Sequence, residues 1–160
     1  MSALALSAAT ERPAGPLLHI RSAAAVRSSL DATFAFFSDA ANLERLTPPS
    51  LRFTILTPRP IVMREGAIID YRITLRGVPM AWQSRIDVWE PGVRFVDRQV
   101  IGPYRWWRHE HRFEAWIGGT LVEDHVEYLP RFAFLSGRLV ERELARIFSF
   151  RQHALQHMLR

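Results

Sequence analysis

A chain of 160 residues, 48% of them hydrophobic, suits one domain and can bury a substantial core without a structural metal or cross-links. With no cysteine it excludes disulfides, thiolate ligands and cysteine nucleophiles, in keeping with a cytoplasmic location. All 21 basic residues are arginine against 16 acids, a net charge of +5, but they are scattered among the acids, so no nucleic-acid surface is expected.

Residues 1–15 are Ala-rich and lack an early positive cluster, which predicts a flexible tail and not a signal peptide; no later apolar run reaches membrane-spanning length. A single domain is expected over residues 16–160. Leu17 to Val26 reads as a strand, after which Ser28-Ser29-Leu30-Asp31 supplies capping groups for a helix over Ala32 to Asp39. Phe34 and Phe37 lie three apart on it. A second helix, Asn42 to Leu46, is stopped by Thr47-Pro48-Pro49, because proline cannot continue a helix and pushes its predecessor toward extended geometry.

From Leu51 the period changes to two, and strands are expected at Leu51–Thr57, Ile68–Leu75, Met80–Trp89, Val93–Val100, Tyr104–Trp116 and Thr120–Tyr128. Short Gly- and Pro-containing separators make consecutive strands antiparallel neighbours in a meander. A long helix from Leu139 to Met158 closes the chain, with Val140, Leu144, Ile147, Phe148, Leu155 and Met158 at helical spacing. The fold class is α+β: one curved antiparallel sheet against a long C-terminal helix, with two short helices after the first strand. A gap between sheet and helix is a natural ligand pocket.

The strand from Tyr104 to Phe113 carries the chemistry. Alternation puts Trp107, His109, His111 and Phe113 on one face, and Trp106, Arg108, Glu110 and Arg112 on the other. His-x-His on a strand offers two ligands to an ion, but Glu114 and His125 fall out of phase as third and fourth ligands, so no metal is expected. If Gly118-Gly119 forms a two-residue turn, Ile117 pairs with Thr120 and Phe113 with Asp124. Asp124 then lies on the histidine face, diagonal to His111, with Tyr128 on the same face, while Glu123, His125 and Glu127 point to water. A lone buried carboxylate recruits a partner. His111 is one candidate and Arg151 another, since it falls near the middle of the apolar stripe of the last helix; it can equally clamp an anionic ligand or reach along the helix to water. Tyr71 and Ser84 offer hydroxyls among the apolar faces of their strands.

The order of elements, with the phrases Phe34 to Pro49, Ile69-Asp70-Tyr71-Arg72, Trp89-Glu90-Pro91, Arg94-Phe95-Val96-Asp97, Gly102-Pro103-Tyr104 and Trp107 to Phe113, resembles the START-like SRPBCC superfamily over roughly Leu17 to Arg160. The resemblance implies a helix-grip fold and a cavity. The superfamily includes lipid and coenzyme Q binders, hormone receptors and polyketide cyclases, so the fold does not select a function.

The leading expectation is binding of a hydrophobic or aromatic small molecule, such as a lipid, quinone or polyketide, without a cofactor. Tyr71, Trp82, Trp107, His109, His111, Phe113, Asp124, Tyr128, Phe148 and Arg151 are the candidate contacts. One alternative is a cyclase or dehydratase in which His111, oriented by Asp124, is the general base and Tyr71, His109 or Arg151 steadies oxyanion charge. Another is a module that docks a protein or a membrane surface. Trp106 and Trp116, on the outward side, offer a homodimer contact.

Overall fold

The structure, a computed structural model, describes residues 11–131 and 137–160. Most of the expected tail over residues 1–15 lies outside the described residues. β1 (Leu18–Val26) leads to α1 (Leu30–Ser38), whose first turn is capped by Ser29 Oγ accepting from the Ala32 N–H at 3.3 Å. α2 (Asn42–Arg45) follows, and the prolines then start a single 3-10 turn at Pro49–Leu51. Arg52 ends that turn in the left-handed region, φ 43°, which re-aims the chain. The strand expected over Leu51–Thr57 is therefore reduced to β2 (Thr54–Ile55).

The remaining strands are β3 (Ile68–Leu75), β4 (Val78–Glu90), β5 (Arg94–Ile101), β6 (Tyr104–Trp116) and β7 (Gly119–Pro130), and α3 (Arg138–Met158) completes the chain. They form one antiparallel sheet in the order β1-β7-β6-β5-β4-β3-β2, the arrangement of a helix-grip fold. Register shifts in the β4–β5 pair at Gln83/Ser84 and Ile86/Val88 mark irregularities of the kind that bend a strand and increase its twist.

The buried face of α3 carries Val140, Leu144, Phe148, Arg151 and Leu155. Two hydrogen bonds tie this helix to the first strand region: Gln152 Nε2 donates to the Ala23 carbonyl at 2.8 Å, and Arg27 N–H to the Leu159 carbonyl at 3.0 Å. They fix the height at which Arg151 meets the sheet.

Two further expectations are corrected. The β6–β7 turn consists of Ile117-Gly118, pairing Trp116 with Gly119 and Ala115 with Thr120. Gly119 is needed inside the strand, because a Cβ there would overlap the Val26 carbonyl oxygen as β1 passes. The shift is two residues, so every face assignment survives, but His111 sits directly opposite Asp124 instead of diagonal to it. Trp106 points outward as expected yet is only 7% exposed, with the Arg98 guanidinium 5.9 Å from its ring centroid; Trp116, at 51%, is the open one. The pairing of β6 with β7 slips between Tyr104 and Trp106, and this irregularity lets Tyr104 share the inner face with Trp107.

Candidate functional site

Between the inner face of the sheet, the two short helices and α3 lies a cavity of about 190 Å³. Its wall is mostly apolar and aromatic. Tyr71 stacks on Trp82 at 6.0 Å between ring centroids, Trp82 meets Trp107 edge-on at 5.4 Å, and Tyr104 lies 4.8 Å from Trp107. These rings converge because period-two alternation on β3, β4 and β6 sends Tyr71, Trp82 and Trp107 to the same side. Ser84 serves their polar edges: its Oγ accepts from Trp82 Nε1 at 3.1 Å and is 2.7 Å from the Tyr71 hydroxyl. Burial, with the charge of Asp97 adding to it, raises the Tyr71 pKa well above its ordinary value, so this phenol stays protonated.

One end of the cavity is polar. Asp124 Oδ1 receives His109 Nε2 at 2.8 Å and lies 3.0 Å from His111 Nδ1, while Arg151 Nε donates to Asp124 Oδ2 at 3.0 Å. His111 Nε2 reaches Asp97 Oδ2 at 2.8 Å. His111 Nδ1 is also 3.1 Å from Arg151 Nη2; it can donate to Asp124 or accept from Arg151, one at a time. Phe95 stacks on the His111 ring at 4.1 Å and the His109 ring lies 3.7 Å from that of His111, so both imidazoles are held in place by packing as well as hydrogen bonds.

The electrostatics separate the two histidines. Burial, aided by the charge of His111, lowers the His109 pKa to about 4 despite Asp124. Burial would lower His111 too, but its hydrogen bonds to the Asp124 and Asp97 carboxylates and their charges outweigh it and raise its pKa. Burial likewise opposes ionisation of Asp124, yet Arg151 and the two histidines hold its carboxyl well below the usual range. His109 is therefore neutral near pH 7. An ionised Asp124 can only accept, so His109 carries its proton on Nε2 and leaves a lone pair on Nδ1. That nitrogen makes no hydrogen bond among the described residues; the nearest carboxylate oxygen, Asp97 Oδ2, is 3.9 Å away.

Of the candidate contacts, Tyr71, Trp82, Trp107, His109, His111, Phe148 and Arg151 line the cavity. Phe113, Asp124 and Tyr128 do not. Phe113 is enclosed by Phe34 and Phe37 at 5.2 and 4.9 Å, Asp124 sits behind the two histidines and Arg151, and Tyr128 lies behind Tyr104 and Trp107. Arg151 pairs with Asp124 and is buried, which excludes the reach to water along the helix. Arg138, Arg142 and Arg146 are exposed, as a solvated helix face requires.

Sequence reasoning missed Asp97, along with Phe37 and Phe53 from the first helix and the segment before β2. Asp97 was reachable: a three-residue separator, Ile101-Gly102-Pro103, pairs odd positions of β5 with odd positions of β6. The structure indeed pairs Asp97 with His109 and Phe95 with His111. Asp97, and neither Glu114 nor His125, completes a set with the two histidines whose ligand atoms lie within 4.8 Å of one another. Burial opposes ionisation of Asp97, but the His111 hydrogen bond and the charges of both histidines lower its pKa.

No protein-family model matches the chain, and no curated protein matches it in sequence. Solved structures match its fold. Protein CV1439 from Chromobacterium violaceum superposes with a TM-score of 0.72 at 14% identity, over 90% of this chain and 98% of that one. The Zhui aromatase/cyclase from Streptomyces sp. R1128 gives 0.70 at 16% identity, over 90% and 94%. The ginseng major latex-like protein 151 from Panax ginseng gives 0.63 at 11% identity, over 89% and 99%. At these identities the likeness shows a shared helix-grip fold and nothing finer.

Proposed function

We propose that the protein binds a hydroxylated aromatic molecule of one or two fused rings in the cavity between sheet and α3. The observation that carries this is His109: a neutral imidazole, fixed by Asp124, whose Nδ1 lone pair meets no donor among the described residues at the end of an aromatic cavity. A hydroxyl on the ligand would donate to it while the rings pack against Trp82 and Trp107. Volume argues for a small ligand. A dry cavity of about 150 Å³ takes benzene, and 190 Å³ leaves room for little more than a second ring.

The likeness to an aromatase/cyclase and to a major latex-like protein supports a cavity-based function but does not choose the ligand. Calorimetry with 1-naphthol and naphthalene tests the reading. The hydroxylated probe should bind about tenfold more tightly, the worth of one hydrogen bond to a buried acceptor. His109→Phe should erase that preference, and Ile73→Trp, at a cavity-lining position, should abolish both. Binding that survives Ile73→Trp places the ligand elsewhere and defeats the proposal.

One observation favours a catalytic version. The same Nδ1 lone pair, backed by Asp124, is oriented to take a proton from bound substrate, whereas both nitrogens of His111 are already engaged. In this version His109, not His111, is the base, and the Tyr71 hydroxyl, held by Ser84, is a donor only. The bicyclic ketone α-tetralone distinguishes it: the base removes a proton from the carbon beside the carbonyl and returns deuterium from heavy water. Exchange unaffected by His109→Phe eliminates the catalytic reading and leaves the binding one standing.

A further inference from the structure

The third group beside His109 and His111 comes from the neighbouring strand. Pairing of β5 with β6 sets Asp97 opposite His109, and its Oδ2 is 2.8 Å from His111 Nε2 and 3.9 Å from His109 Nδ1. Ligand atoms held at about 2.0–2.1 Å by a tetrahedral first-row cation stand roughly 3.4 Å apart. That spacing falls between these two distances, and the three ligand atoms all lie within 4.8 Å of one another, so modest side-chain shifts convert the cluster into a coordination shell.

The surroundings are those of an oriented donor set. The outer nitrogens of both rings, His109 Nε2 and His111 Nδ1, rest on the same oxygen of Asp124 at 2.8 and 3.0 Å. Asp124 holds the His109 ring with its inner Nδ1 as a lone-pair donor, whereas the inner Nε2 of His111 donates to Asp97 and would release that proton to a cation taking its place. Charge divides the same way. Asp124 is already matched by Arg151, whereas among the described residues the ion pairs of Asp97 are with the two imidazoles, and Arg151 acts on it only through longer-range charge. Asp97, His109 and His111 all open onto the cavity, and Asp124 does not.

We propose that Asp97, His109 and His111 form a binding site for a first-row divalent transition-metal cation, with a coordination position open to the cavity. Two imidazoles and one carboxylate suit Zn²⁺, Co²⁺ or Fe²⁺ and not the oxygen-seeking Mg²⁺ or Ca²⁺. The open position would accept water or an oxygen of a molecule in the cavity. The site draws on the same His109 Nδ1 lone pair that the small-molecule reading gives to a ligand hydroxyl, so cation and hydroxyl exclude each other at that atom, and the titration below is run without any small molecule.

The test is titration of the chelator-treated 160-residue chain with Co²⁺ and Zn²⁺. One equivalent of Co²⁺ should give the visible absorption bands of a four-coordinate ion, and Zn²⁺ should displace it. Asp97→Asn should weaken binding at least tenfold, and Asp124→Asn by about 10- to 100-fold through loss of ring orientation. His125→Ala, which removes one of a histidine pair 3.1 Å apart on the outer face, should change nothing. In the unmodified protein Zn²⁺ should shift the ring resonances of His109 and His111, a readout that does not depend on any variant folding. Absence of saturable binding, loss of binding in His125→Ala, full binding in a folded Asp97→Asn, or shifts at His19 and His125 alone would each overturn the site.

Discussion

Arg151 is the residue whose removal should cost most. Its guanidinium is the fixed counter-charge of Asp124, with both side chains nearly inaccessible, and it also rests 5.3 Å from the Phe37 ring centroid. Arg151→Met would leave the carboxylate buried and short of its cation, an arrangement that costs about 3–5 kcal/mol. Urea denaturation should show that loss, and adding Asp124→Asn should restore part of it, since a neutral amide no longer needs the cation. A single-variant loss under about 1 kcal/mol would mean that the histidines alone balance Asp124. The sequence disclosed this pair in outline: the helical stripe put Arg151 inward and strand phase put Asp124 inward. It did not disclose that Asp124 stands behind the histidines, because phase assigns a face and not a depth along the normal to the sheet.

At the scale of elements, the hairpins decide what the cluster contains. Gln99 braces the β5–β6 hairpin, its Nε2 donating to the Tyr104 carbonyl at 2.8 Å and its Oε1 accepting the Tyr104 N–H at 3.2 Å. Gln99→Leu leaves two buried backbone groups unpaired next to the Tyr104/Trp106 register slip, and a loss of about 2–3 kcal/mol is expected in urea denaturation. Gly119→Ala drives a methyl into the Val26 carbonyl and should cost about 2 kcal/mol or more. Amide exchange should then accelerate first along the β1–β7 pairing, from Ala24 to Val26. Exchange that rises evenly over the sheet would refute this local account. Strand positions were legible from period two, and helices from capping and proline. The two-residue slip at Gly118-Gly119 was not, because two adjacent glycines fit either turn and only the approach of β1 selects between them. β2 was overread for a similar reason: an apolar run does not reveal the 3-10 turn that Pro49 starts and Arg52 ends.

For the molecule as a whole, a ligand that binds only the folded chain must stabilise it. At a concentration 100 times its dissociation constant the gain is about 2.7 kcal/mol, which for a domain of this size raises Tm by about 5–10 °C. Thermal melts with 1-naphthol should show the rise in the unmodified protein and none in Ile73→Trp. By itself the sequence determined the α+β class, the order of the elements, the inward faces of β3, β4, β6 and β7 and the polar residues on those four faces, since all of these follow from local periodicity and turn chemistry. Only the tertiary structure decided which inward residues border open space and which are packed behind them, and it added Asp97 from β5 to the two histidines of β6. The reason is physical: alternation is a property of one strand, whereas depth, register between strands and the closing of α3 over the sheet depend on how side chains distant in sequence fill the same volume.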